Sequence, residues 1–248
     1  MKLLDFNEYY ALNEVNTARN WKDDEKKAFL ELQYENLIEA LDSLKKHKVK
    51  AFIDCGTLLG IYRDKQLIPG DSDSDVGILA EDMKPAYVDD FAENLTTNGS
   101  MFFKPTEFMK LHEGDGSDKF VNPKGFKYQM KKKGRFQTYK GKPIMTDLFL
   151  YYPYKKDRIY QYVSDYFRTK DEYVNGPCKR KTCKGYSFPM PCNVEGHLET
   201  AYGKGWQTPD PKWAGDYKNV KVYGGPLKTK DMGGRYKYNF KNKEYVIK

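Results

Sequence analysis

The stretch Leu67-Ile68-Pro69-Gly70-Asp71-Ser72-Asp73-Ser74-Asp75 carries three aspartates at alternate positions. On an extended segment that spacing puts all three carboxylates on one face, about 6–7 Å apart in steps. Like charges on one face repel unless a cation lies among them, and a hard divalent ion with oxygen ligands is the natural partner. Two such ions about 3.5–4 Å apart activate an attacking oxygen and stabilise a leaving phosphate oxygen. The same spacing also fits a solvated loop, because Asp and Ser both favour turns. A calcium loop fits less well: Val76 stands where that loop needs glycine, and Asp82 stands where it closes on glutamate.

Three features around the triplet bear on the choice. It leads straight into Val76-Gly77-Ile78-Leu79, so Asp75 falls at the edge of a strand, near a core. Upstream, Gly56-Thr57 lies between an apolar strand and a helix start. Glycine there lets backbone N–H groups approach a phosphate, and a helix N-terminus favours an anion; on its own the pair also reads as a tight turn. Further on, Asp147 lies inside the apolar run Ile144 to Tyr152. An acid in such a strand is costly unless paired or metal-bound, or else it lies on the solvent face of an amphipathic strand. A phosphate cradle beside a metal-binding carboxylate strand would make a phosphoryl-transfer site.

The elements that must position these residues follow from periodicity. Phe29, Leu32, Leu37, Ile38, Leu41 and Leu44 form a stripe at helical spacing, which predicts a helix over 23–47. Lys45, Lys46 and His47 in its last turn suit the helix dipole. Residues 49–54 and 74–79 read as buried strands and 82–97 as a helix. Residues 100–152 read as strands broken by Gly and Pro, with Lys131–Arg135 as a hairpin tip. Residues 157–170 read as a helix, 178–191 as irregular, 194–202 as a short helix, and the last forty or so as loops and edge strands. The pattern is α+β, helices over a small mixed sheet. It reads as one domain over 1–248: an arm over 1–22, a core over 23–155, and a helical and irregular C-terminal part over 156–248.

The stretch Cys55-Gly56-Thr57-Leu58-Leu59-Gly60-Ile61-Tyr62-Arg63, the Ile68-Pro69 and aspartate run, and Asp147-Leu148-Phe149 together resemble the LicD/fukutin family. Pro191, Leu198, Tyr202-Gly203, Trp206 and Pro209 resemble its C-terminal pattern, so the resemblance spans roughly residues 25–210. Gly70 replaces the usual Trp and Ser72 a common middle Asp, while the three alternate aspartates are kept. The resemblance implies a nucleotidyltransferase-like fold. It also implies a metal-dependent transferase that moves a phospho-substituent from a CDP-linked donor to a glycan hydroxyl. On that reading Asp73, Asp75 and Asp147 are the ligands of Mg²⁺ or Mn²⁺, with Asp71 assisting and Asp147 a further ligand or the base. Gly56, Thr57 and Arg63 hold donor phosphate; Arg63 alternatively forms a salt bridge to Asp64. The alternative function is a glycosyltransferase using a metal-bound nucleotide sugar, since an Asp-x-Asp motif serves that chemistry too.

The rest of the chain narrows the partners. It has 248 residues, a formal net charge of +8 and 15% aromatic residues, which argues against disorder. The excess cations are dispersed, so nucleic acid is not expected. No apolar run reaches the roughly 18–20 residues of a membrane span, and Met1–Glu8 lacks an apolar leader. The expectation is a cytoplasmic protein with reduced cysteines, peripheral membrane association staying open. Cys178, Cys183, Cys192 and His197 are spaced too loosely for an ordinary zinc site but leave one open. Cys55 has no His close behind it to make it a nucleophile, His47 ends a helix, and His112 reads as a turn residue. Trp206, Trp213 and Tyr217 read either as sugar-stacking or as packing residues.

Overall fold

A computed structural model describes residues 3–4, 21–79, 82, 100–102, 112–113, 119–121, 126–132, 135–154, 156–162, 165–210, 227–228, 236–239 and 244–247. The expected arm over 1–22, the helix over 82–97, Trp213 and Tyr217 lie wholly or mostly outside these residues.

The predicted helix is α1, Asp23–Lys46. Asp23, Asp24 and Glu25 occupy its first turn and Lys45 and Lys46 its last, matching the dipole at both ends. Glu25 Oε2 accepts from the N–H of Lys22 at 2.9 Å and so caps the entry. Phe29, Leu37, Leu41 and Leu44 of the stripe are buried, and so are the polar Gln33 and Asn36.

Beyond α1 come β1 (Ala51–Ile53), the short helix α2 (Cys55–Leu59), a π-turn (Gly60–Asp64) and β2 (Ser74–Leu79). β3 (Phe126–Lys132) and β4 (Arg135–Tyr139) form the hairpin expected around Lys131–Arg135. β5 (Thr146–Tyr154) runs parallel to β2 and antiparallel to β3, while β1 pairs antiparallel with β2. β2 is buried along its whole length, as a strand covered on both faces must be.

Alternation along these strands splits the core. Ile53, Val76, Ile78, Leu148 and Leu150 join Leu37, Leu41 and Leu44 of α1. Phe52, Leu79, Phe149 and Tyr151 form a second cluster with Tyr160 and Phe167. Gly77 faces this second cluster, and a Cβ there would lie 2.3 Å from the Phe52 ring and 3.0 Å from Tyr151. Gly77→Ala is therefore expected to cost about 1–3 kcal/mol, as overpacking does. Chemical denaturation measures it, and a loss under about 0.5 kcal/mol, within the range of a surface change, would show that Phe52 has room to retreat.

Four expectations are corrected. Residues 157–170 are not helical but form a hairpin, β6 (Asp157–Tyr162) and β7 (Asp165–Lys170), with Tyr160 directly opposite Phe167. Those two rings stack at 5.5 Å, and the aromatic-rich segment fits a pleated surface better than a helix. The short helix α3 (Asp171–Val174) follows.

Residues 178–191 are not irregular: β8 (Arg180–Cys183) and β9 (Tyr186–Pro189) pair antiparallel. The two linking residues, Lys184 (φ 47°) and Gly185 (φ 78°), supply the left-handed turn that a tight hairpin demands. That hairpin brings its flanks together, and Cys178 and Cys192 are disulfide-bonded, so not all four cysteines are reduced. His112 lies in a two-residue strand, His112–Glu113, rather than in a turn.

α4 (Val194–Tyr202) matches the predicted short helix, and its N-cap Asn193 accepts from the N–H of Gly196 at 2.9 Å. Short strands at 227–228, 236–239 and 244–247 are described in the C-terminal region, the last two pairing with each other; the remainder of that region lies outside the described residues. The architecture is α+β. Among the described residues no helix is long and apolar enough to cross a membrane.

Candidate active site

The site is assembled at the start of β2 and β5. Asp75 and Asp147 are register partners on these parallel strands and so share a face of the sheet. α1 holds both strand starts through its buried polar residues. Asn36 Nδ2 donates to Thr146 Oγ1 at 2.8 Å, and the Thr146 and Ser74 hydroxyls are 2.7 Å apart. Gln33 Nε2 donates to the backbone oxygen of Asp71 at 3.3 Å. The residues just before Asp75 and Asp147 are thus tied to each other and to one helix.

The Gly56-Thr57 segment closes the site from the β1 side. Asp54 ends the strand pairing, its N–H donating to the oxygen of Asp75 at 3.0 Å. Cys55 then takes a left-handed φ of 43°, uncommon outside glycine, and α2 begins. A Cβ at Gly56 would lie 2.6 Å from Asp71 Oδ2 and 3.7 Å from Asp75 Oδ2, so the glycine leaves room for both carboxyl groups. Thr57 is buried, and its hydroxyl accepts from the N–H of Asp75 at 2.8 Å. Asp71 Oδ1 accepts from the N–H of Ser72 at 2.8 Å, and Ser72 Oγ donates to Asp73 Oδ1 at 3.1 Å.

The electrostatics follow from this crowding. Asp75 is only 7% exposed. Burial first, then the negative charges of Asp73, Asp71, Asp147 and Asp54, push its carboxyl well above the usual range. The same burial and neighbouring acids push the Cys55 thiol up, against any role as a thiolate nucleophile. A cation among these acids would relieve both. The oxygen donors suit Mg²⁺ or Mn²⁺, although among the described residues no three His, Cys, Asp or Glu side chains already converge as a metal cage.

Arg63 takes the plainer of its two readings. Its Nε and Nη2 each bond the Asp64 carboxylate at 2.8 Å, and its Nη1 donates to the oxygen of Trp206 at 3.2 Å. The hydrogen bond with Asp64, above all, raises the guanidinium pKa. Trp206 is buried, its ring 5.8 Å from Tyr62, which is a packing role. The zinc candidates do not come together: Cys178 and Cys192 bond each other, and Cys183 Sγ lies 3.0 Å from the backbone oxygen of Lys65.

His197, the fourth of that group, is instead part of a cluster that the sequence did not reveal. Its Nε2 is 2.9 Å from Asp54 Oδ1, and its Nδ1 is 3.0 Å from Thr169 Oγ1. Asp54 Oδ1 also accepts from the N–H of Cys55 at 2.8 Å, and Tyr151 donates its hydroxyl to Asp54 Oδ2. Burial first, with Asp54 next, pushes the Tyr151 hydroxyl well up and keeps it a donor. One signal was present: a polar residue closing an apolar strand just before a helix is an N-cap candidate.

The mixed sheet thus sets Asp75 and Asp147 side by side, next to the glycine of a strand–turn–helix segment. The profile of the LicD/FKTN/FKRP nucleotidyltransferase-domain family matches residues 48–193, and the chain belongs to that family. It is similar to an uncharacterised protein of Rickettsia typhi, 39% identical over 30% of this chain and 23% of that one. An uncharacterised protein of Caenorhabditis elegans is 28% identical over 77% of this chain and 47% of its own length. The mouse ribitol-5-phosphate transferase FKTN is 24% identical over 73% of this chain and 34% of its own length. The chain thus spans less than half the length of each of these relatives.

Proposed function

We propose that this chain is a metal-dependent transferase with a nucleotidyltransferase-like fold, moving a phospho-substituent from a CDP-linked donor to a glycan hydroxyl. The observation that carries the reading is the placement of Asp75 opposite Asp147 beside the Gly56 turn, in a chain of the LicD/FKTN/FKRP family. The ribitol-5-phosphate transferase named among its relatives supports the same class of reaction.

Asp73, Asp75 and Asp147 would hold Mg²⁺ or Mn²⁺. When bound, the ion supplies charge neutralisation at the donor phosphates. The backbone around Gly56 receives donor phosphate at the start of α2, where the helix N-terminus favours an anion. An acceptor hydroxyl attacks the distal phosphorus in line, its proton passing to Asp71 or Asp147 as the new P–O bond forms. The phosphoanhydride bond breaks and CMP leaves with the electron pair. Thr57 acts by holding the Asp75 backbone, and Arg63 reaches phosphate only on leaving Asp64.

The test is nucleotide release from CDP-alcohols, nucleotide sugars and NTPs with Mg²⁺ or Mn²⁺ and mixed glycan acceptors. Metal-dependent CMP release is expected, falling about 10²–10³-fold in Asp73→Asn, the loss typical of a removed electrostatic stabiliser. Release of a nucleoside diphosphate from a nucleotide sugar would make the chain a glycosyltransferase. Full activity in Asp73→Asn would remove the carboxylate site from the chemistry.

A further inference from the structure

We infer that His197 is a positioning residue for the carboxylate site, acting through Asp54 on the Cys55-Gly56-Thr57 turn. The inference rests on the functional reading above for its consequence in turnover, but its structural half stands alone.

Asp54 is 1% exposed and His197 is 2% exposed, so neither touches a substrate. Their contact joins residues 143 positions apart. Asp54 does three things at once: its N–H pairs with Asp75, its Oδ1 holds the N–H of Cys55, and its oxygen accepts from Leu58 at 2.8 Å. Each bond fixes part of the turn that carries Gly56 past Asp71 and Asp75. The left-handed φ of Cys55 is a conformation that persists only where its surroundings over-determine it. Two of the three side-chain contacts that orient Asp54 come from outside the turn, Tyr151 on β5 and His197 on α4. Tyr151 is already fixed by its strand, and Phe52 packs on it at 5.2 Å.

His197 is the distant contact: the Asp54 carboxylate only accepts, so Nε2 carries the proton that points at it, while Nδ1 meets the Thr169 hydroxyl at 3.0 Å. Thr169 is itself buried on β7. The sequence Thr169, His197, Asp54, Cys55 N–H is therefore an unbroken line of hydrogen bonds from the second hairpin to the site. A buried group that orients a metal-site residue through a hydrogen bond alters affinity or activity about 10–100-fold when removed. His197 also lies outside the residues matched by the family profile.

The experiment compares the full-length wild type with His197→Phe and His197→Gln. Phe keeps a ring against Phe52 and Tyr151, whose centroids lie 6.1 and 6.2 Å from the imidazole, but cannot donate. Gln restores an N–H donor. Amide exchange is read over residues 54–58 against α1, Mn²⁺ affinity by titration, and kcat and KM by nucleotide release. In His197→Phe the expected result is faster exchange confined to the turn. Mn²⁺ should bind about 10–100-fold more weakly, and kcat should fall with acceptor KM unchanged. His197→Gln should recover most of each. Unchanged exchange at 54–58, a uniform loosening of the whole chain, or equal defects in Gln and Phe overturns the proposal. So does a loosened turn with undiminished Mn²⁺ affinity. A wild type that neither binds Mn²⁺ nor releases a nucleotide sinks the functional reading instead, and the exchange comparison still decides whether His197 holds the turn.

Discussion

Asp75→Asn should give a protein that is inactive yet more heat-stable than the wild type in metal-free buffer. The carboxyl of Asp75 is raised well above its ordinary range, by burial first and then by Asp73, Asp71, Asp147 and Asp54. A carboxyl raised in the fold binds its proton more tightly there than in the unfolded chain. Its contribution to stability is complete below the ordinary carboxylate range and is lost as pH rises through the raised value. The metal-free wild type should therefore lose stability over that window, and Asn, uncharged at every pH, should flatten the slope. The Asp75 backbone bonds to Thr57 and Asp54 are untouched by the change. Turnover should fall about 10³-fold. Mn²⁺ should raise the melting temperature of the wild type, as any ligand of the folded state does, but not that of the variant. Thermal melts with and without EDTA across pH, beside the nucleotide-release assay, test all of this. A variant less stable than the wild type at neutral pH, or one that keeps its turnover, would refute the assignment of Asp75.

The second large effect is expected at Gly56. A methyl group there meets Asp71 Oδ2 at 2.6 Å, well inside contact distance, and Asp75 Oδ2 at 3.7 Å, an ordinary contact. Asp71 is the group that must move, and because the clash is with the end of a side chain, it can move cheaply. Stability should change by less than about 1 kcal/mol, while a carboxyl displaced by about 1 Å should cost about 10²-fold in turnover. Measured together, a large kinetic loss with an unchanged melt supports Asp71 as part of the working site. Undiminished turnover would exclude it.

Much of the scaffold could be read from the chain because it is locally written. The stripe from Phe29 to Leu44 gave α1 nearly to its ends, and Ser74–Leu79 gave β2. Asp75 and Asp147 stood out because acids are expensive in apolar strands. What escaped has no local signature. Gln33 and Asn36 fall on the buried face of α1 by spacing but interrupt its apolar pattern, and their partners, the Asp71 backbone and Thr146, arrive from elsewhere in the chain. The β6–β7 hairpin has aromatic residues that favour a strand, but the pairing that makes it one depends on a facing segment; Tyr160 finds that partner in Phe167. Cys178 and Cys192 looked loosely spaced until the β8–β9 turn folded their flanks together. His197 is near the cysteines in sequence, but its partner is Asp54, 143 positions away.

The family match begins at residue 48, after α1, and stops at residue 193, before α4. Trimming the chain to that segment would strip the Asn36 and Gln33 clamps from the strand starts and lay Val76, Ile78, Leu148 and Leu150 open to water. It would also take away His197 and the Trp206 oxygen that anchors Arg63. The boundary by which the chain is recognised is therefore narrower than the boundary within which it can fold. The shortest piece that keeps every side-chain contact described here runs from Lys22 to Trp206.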